Sequence, residues 1–358
     1  MTAWPDRRIL DLLGIELPIV QAPMAGAATS AMVIAVAEVG GLGSLPCAIL
    51  SGDQMRTELR TVRERTSKPV NMNFFCHRTP SIDAARETAW RRRLKPYYVE
   101  LGLDPEMTTK TPAIEPFGGA HCELVEELKP EIVSFHFGLP DKGLVTRVKK
   151  TGAKILSSAT TVEEARWLEE NGCDAVIAQG AEAGGHRGTF LSDDISSQPG
   201  TLALVPQVVD AIGLPVIAAG GIADARGIVA AFALGAAAVQ IGTSYLFCPE
   251  AHVAPAHRRA LAAEGADQTV LTNIFSGRPA RVILNRIVRE LGPMSDLAPP
   301  FPLAGGALGP LRAKSEPSGS ADFIPLWSGQ AARLGRDLPA GELTKWLAKK
   351  ALAKLAAS

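Results

Sequence analysis

Eight short apolar runs, separated by helical patterns, constrain the fold of this chain more than any other feature. They are IVQAPMAG (19–26), GLGSLP (41–46), PVNMNFF (69–75), IVSFHFG (132–138), AKILSSAT (153–160), DAVIAQG (174–180), PVIAAGG (215–221) and AVQIGTS (238–244). Strands that are apolar throughout, without alternation, are those buried on both faces of a parallel sheet. The intervening segments carry helix signals. Ser51 precedes DQMRTELRTVRERT, Thr161 precedes VEEARWLEENG with Gly172 at its end, and Asp224 precedes ARGIVAAFALG with Gly235 at its end. Ser, Thr and Asp side chains accept from the free N–H groups of a first helical turn, and glycine takes the left-handed conformation that ends a helix. Eight such strands, each followed by a helix, predict an α/β fold closed as a (β/α)8 TIM barrel; an open doubly wound sheet is the alternative.

Three stretches exceed a bare barrel. Residues 77–112 insert a charged helix (ETAWRRRLKPYYVELG) after the third run, 181–200 form a Gly-rich polar loop after the sixth, and 249–310 follow the eighth and are rich in Pro, Ala and Gly. All three leave the C-terminal ends of strands, where barrel enzymes place their chemistry. We therefore expect residues 1–248 plus 311–358 to form the barrel, and 249–310 a small α-rich domain or lid. The tail reads as helical. Its LTKWLAKKALAKLAA stretch is basic and amphipathic, as for a helix packed on the barrel surface.

Charge narrows the partners. Lys+Arg and Asp+Glu both number 37, so the formal net charge is zero. That argues against nucleic acid or an anionic membrane and toward a small-molecule site. The five cysteines are scattered and never form a CxxC pair, which fits free thiols in a reducing compartment. MTAWPDRRILDLLG holds no signal-like apolar run, and no stretch of about 20 apolar residues occurs. The expected location is cytoplasmic. No HxxxH pair or carboxylate cluster suggests a metal.

The seventh and eighth runs end in Gly220–Gly221 and in Gly242–Thr243. Barrels bind phosphate between these two strand ends, on backbone N–H groups that glycine lets an anion approach. No GxGxxG follows the first run and no Walker motif occurs. In QGAEAGGHRGTF (179–190), Gln179 ends the sixth strand and suits a heterocycle edge, Gly184 and Gly185 make the loop supple, and His186 sits at its tip. Imidazole titrates near neutral pH, so His186 is a candidate proton acceptor. His136 in SFHFG ends the fourth strand, facing either the barrel mouth or a helix. Asn73 ends the third strand, where an amide matches ring N and O atoms. Cys76 and His77 invite a nucleophile pair, but no third orienting residue is evident. At the end of the first strand, Ala22, Pro23 and Met24, with Gly26, offer a backbone wall for a flat ring.

With QAPMAG, GGLGSL, NFFCH, SFHFG, EAGGHRG, AAGGIAD and QIGTSYLFCPEA in this order, the chain resembles the nitronate monooxygenases, formerly called 2-nitropropane dioxygenases, and within them class I. The likeness runs from about residue 10 to 340 and includes TNIFSGRPAR and ADFIPLWSGQAARL. The resemblance implies non-covalent FMN and oxidation of an alkyl nitronate, such as propionate 3-nitronate, by O2 to a carbonyl compound and nitrite. It makes His186 the base toward neutral nitroalkanes. It places Asn73, Gln179, Gly184, Gly221, Gln240, Ile241, Gly242 and Thr243 on FMN, with Gly185 and Gly220 beside them, and His136, Tyr97 and Tyr98 near the substrate. Where similar chains carry tyrosines and a lysine, residues 299–310 here read PPFPLAGGALGP, with Phe301 and no tyrosine. That predicts a less polar or larger nitronate, or a different substrate altogether. Two other readings stay open: an FMN barrel reducing a quinone or enoyl thioester with NAD(P)H, and a flavin-free phosphate-binding barrel. A homodimer is also open.

Overall fold

The computed structural model describes residues 4–109 and 114–357. Residues 110–112 of the expected insertion and the final Ser358 lie outside them. In chain order the strands are β1 (Ile19–Gln21), β2 (Gly43–Pro46), β3 (Val70–Phe75), β4 (Ile132–His136), β5 (Lys154–Ala159), β6 (Ala175–Gln179), β7 (Gly185–His186), β8 (Val216–Ala219), β9 (Ala238–Ile241), β10 (Thr269–Thr272) and β11 (Ala280–Ile283). All eight apolar runs contain a barrel strand. They pair in parallel in the order β1-β9-β8-β6-β5-β4-β3-β2. A parallel bridge between Val20 and Leu42 brings the first strand back to the second and closes the barrel.

The barrel strands are buried at nearly every position because side chains fill one face and helices cover the other. Ser51 caps Gly52–Arg63 through a reciprocal capping box with Gln54; Thr161 and Asp224 cap Val162–Glu170 and Ala225–Ala233. Gly172 and Gly235 leave their helices with φ of 101° and 90°.

The helix that completes the barrel after β9 is Ala340–Leu355, at the far end of the chain. Leu343, Leu347 and Ala351 on it are buried, and Tyr245 Oη bonds Thr344 Oγ1 at 2.7 Å. Residues 249–339 are thus a long insertion between the last strand and the last helix. Part of it, the β10–β11 hairpin, pairs antiparallel with β7. A second apolar core, separate from the barrel's, joins Trp90, Leu94, Tyr97 and Tyr98 of helix Ala84–Glu100 to Ile274, Val282, Leu308 and Phe323. The insertion after β3 and the one after β9 therefore share one core above the barrel mouth. Among the described residues no helix is long and apolar enough to cross a membrane.

Candidate active site

A cavity of about 540 Å³ opens over the C-terminal ends of the barrel strands. Ala22, Pro23, Met24, Asn73, Gln179, Gly184, Gly185, Gly220, Gly221, Gln240, Gly242 and Thr243 line it, together with His136, His186 and Phe301. Ile241, between two of these, instead puts its side chain into the barrel core, as alternation along a strand requires.

One end of the cavity suits an anion. Gly220 and Gly221 turn the chain out of β8 with φ of 110° and 69°, backbone that a side chain resists. Among the described residues, the N–H groups of Gly221 and Ile222 donate to no backbone acceptor. Thr243 and Ser244 open the short 3-10 turn Thr243–Phe247, so their N–H groups have no partner within it. Both sets belong to residues lining the same cavity. Nearby, Gln240 Oε1 is buried without a hydrogen bond among the described residues. Asn73 Nδ2 donates to Ser134 Oγ at 2.9 Å, which leaves its Oδ1 free to accept. Such unmatched acceptors at a cavity wall fit the N–H groups of a bound heterocycle.

The other end is aromatic. His186 pairs with Ala280 of β11, and its ring lies 5.3 Å from both Phe301 and Trp327. His186 Nε2 is 2.9 Å from Ser276 Oγ. Ser276 Oγ also stands 3.3 Å from the Arg278 N–H and 3.3 Å from the Arg278 carbonyl. All of these groups are satisfied when the hydroxyl donates to the Arg278 carbonyl and accepts from Arg278 N–H and His186 Nε2–H. The proton of His186 then sits on Nε2, and Nδ1 keeps its lone pair with no partner among the described residues. Burial first, then the neighbouring His136, Arg278 and His77, push the His186 imidazole down to about 3. It is neutral at physiological pH, as a proton acceptor has to be.

The loop carrying His186 is held from below. His136 Nε2–H donates to the His186 carbonyl at 3.3 Å, while its Nδ1 accepts from Ser158 Oγ at 3.0 Å. Gln179 Nε2 donates to the same carbonyl at 3.1 Å, and its Oε1 accepts from Gly188 N–H at 2.8 Å. The fully buried Arg187 donates to Gln198 Oε1 at 2.6 Å and to the carbonyls of Gly180 and Gln179 at 2.6 and 2.9 Å. Glu164 caps the far side by accepting from Thr160 and Phe190 N–H groups at 2.6 and 2.7 Å. A buried charge is tolerable here because every contact is a hydrogen bond to a fixed dipole.

The family model for nitronate monooxygenases matches residues 6–350. The chain belongs to the nitronate monooxygenase family. It is an oxidoreductase. A nitronate monooxygenase of Pseudomonas aeruginosa is 43% identical over 352 residues, covering 96% of this chain and 98% of that protein. Among solved structures, a nitroalkane oxidase from Streptomyces ansochromogenes superposes with a TM-score of 0.88 at 37% identity, covering 98% of this chain and 100% of that one. FabK from Thermotoga maritima gives 0.74 at 28% identity over 99% and 98% of the two chains. Within this nitronate monooxygenase chain, Tyr97 and Tyr98 stand away from the cavity. Tyr97 packs on Phe323, and Tyr98 Oη donates to the Ala307 carbonyl at 2.5 Å, so both are committed to the second core. Cys76 and His77 do not form a reactive pair: burial pushes the Cys76 thiol up, and His77 Nε2 donates to the Ile114 carbonyl at 3.0 Å. Sequence reasoning missed Ser276, Arg278 and Trp327. They lie in TNIFSGRPAR and ADFIPLWSGQAARL, motifs visible in the chain, but their approach to His186 spans some ninety residues or more and needs the folded hairpin.

Proposed function

We propose that this nitronate monooxygenase family member binds FMN in the barrel-mouth cavity and oxidises alkyl nitronates, such as propionate 3-nitronate, with O2 to a carbonyl compound and nitrite. The fit of FMN rests on the free N–H groups of Gly221, Ile222, Thr243 and Ser244 for the phosphate, on Gln240 Oε1 and Asn73 Oδ1 for ring N–H groups, and on Ala22–Met24 as the wall against its plane. When bound, FMN supplies the electron transfer between nitronate and O2.

The protein's own part is proton transfer, positioning and exclusion of water. The observation that carries the reading is the unpartnered Nδ1 of His186, held in the same cavity as the phosphate cradle. Toward a neutral nitroalkane, Nδ1 takes the proton from the carbon bearing the nitro group. Charging that buried imidazole alone is costly, and the nitronate anion formed beside it offsets the cost. A preformed nitronate needs no such transfer. Phe75, Phe301 and Trp327 line this end and keep water from the reacting carbon. The segment 249–310, sharing a core with helix Ala84–Glu100, acts as the cover of this site.

The test begins with the purified holoprotein, which should be yellow, consume O2 with propyl-2-nitronate and release nitrite. His186→Asn should lower turnover of neutral 2-nitropropane by about 10²–10⁴-fold while sparing the preformed nitronate. A flavin-loaded protein that takes up no O2 with any small nitronate overturns the proposal. Rapid anaerobic bleaching by NADH would point instead to a reductase.

A further inference from the structure

Arg278 holds a cation behind the aromatic end of the cavity. Its guanidinium carbon lies 4.1 Å from the centroid of the Phe137 ring. One arm donates to the carbonyl and hydroxyl of Thr189, while Nε is buried with no partner among the described residues. Asp193 and Glu164 are the carboxylates that feel this charge, and neither forms an ion pair with it among the described residues. Glu164 is already engaged by Thr160, Phe190 and Leu191. Phe137 itself is held at φ 72°, left-handed backbone that a phenylalanine adopts only where its surroundings enforce it. Its ring lies 5.6 Å from Phe301 and 6.0 Å from His186. The Arg278 charge is therefore separated by the Phe137 ring from Phe301 and His186, which line the cavity, while its backbone N–H bonds the Ser276 hydroxyl that meets His186 Nε2. Among the described residues no Asp or Glu lines the cavity, and the arginine that does, Arg312, is paired with Glu316 at 2.9 Å.

A cation without an ion-pair partner, behind a low-dielectric wall, lowers the energy of an anion on the other side far more than that of a neutral molecule. We propose that Arg278 is a positioning residue that sets specificity: from behind Phe137 its charge favours the nitronate anion over the neutral nitroalkane, without touching either. The inference rests on the nitronate reading of this cavity. It extends that reading by assigning substrate charge selection to a residue outside the cavity wall.

The experiment compares R278M and R278K with the wild-type holoenzyme. KM and kcat are measured for propyl-2-nitronate and for 2-nitropropane, and inorganic nitrate is titrated into the oxidised enzyme by its effect on flavin absorbance. At an effective dielectric near 20 and a separation of roughly 12 Å, across two rings, loss of the charge should weaken anion binding about tenfold. R278M should raise the nitronate KM and the nitrate Kd by that factor, leave the 2-nitropropane KM within about twofold, and leave kcat on the nitronate little changed. R278K should restore most of the anion affinity. Equal KM changes on both substrates, or a lysine no better than methionine, would show a merely structural role and overturn the proposal. The nitrate titration needs no turnover, so it decides this question even where nitronate oxidation fails. If R278M does not fold, R278Q, which can still donate to Thr189, carries the same comparison.

Discussion

Lowering the pH from 8 to 5 should not titrate His186, and the rate with a neutral nitroalkane provides a sharp reading of this. An imidazole in water titrates at 6.5. Here burial strips water from the charged form, and a charge on neighbouring His136, Arg278 or His77 opposes it further, so the group falls to about 3. The difference is large in rate. At pH 5 an ordinary imidazole is neutral in about 3% of molecules, and kcat/KM would drop about 30-fold. With the group at about 3, only about 1% is charged at pH 5 and no drop follows. The assay is oxygen uptake at limiting 2-nitropropane across this range, with propyl-2-nitronate as a parallel substrate that needs no base. An acid limb with its midpoint at 6–7, present for the nitroalkane and absent for the nitronate, would refute the burial argument.

Stability should carry the same signature. His136 and His186 fall to about 3 and His257 to about 4, all chiefly through burial, whereas unfolded histidines take up protons near 6.5. Below that pH the unfolded chain binds more protons than the folded one, so stability falls as pH drops from 6.5 toward 4, by roughly 1.4 kcal/mol per pH unit for each histidine; a melting temperature unchanged between pH 7 and 5 would contradict this. Ser276→Ala removes the acceptor of His186 Nε2–H and should slow 2-nitropropane turnover about tenfold while sparing the nitronate; equal rates would show that Ser276 does not set the tautomer. Gly220→Ala forces a side chain into φ 110°, where its Cβ would stand 2.9 Å from Thr201 Oγ1. The strain, about 1–3 kcal/mol, should weaken cofactor retention, read as the ratio of 450 to 280 nm absorbance after gel filtration; an undiminished ratio would count against the phosphate cradle.

The barrel was legible because its signals are local. Eight apolar runs, capping residues at 51, 161 and 224, and terminal glycines at 172 and 235 each act within a few residues, and each element has its counterpart in the structure. The glycines after β8 and the residues after β9 were legible for the same reason, since a chain leaving a barrel strand must turn at the mouth. The tyrosine pair was less legible. Tyr97 and Tyr98 lie on a helix whose partner core is built from residues 274–323, so only tertiary packing decides that they face away from the cavity.

By itself, then, the sequence determined the eight barrel strands, the N-caps of three of the helices between them, the family, and which strand ends crown the barrel. Tertiary structure alone decided that β7 pairs with a hairpin ninety residues on, which sets Ser276 against His186 Nε2 and Arg278 behind Phe137. It also decided how far burial depresses that imidazole. The reason is physical: strand burial and helix capping follow from neighbours along the chain, whereas a proton's location and a group's desolvation depend on what distant segments bring within a few ångströms.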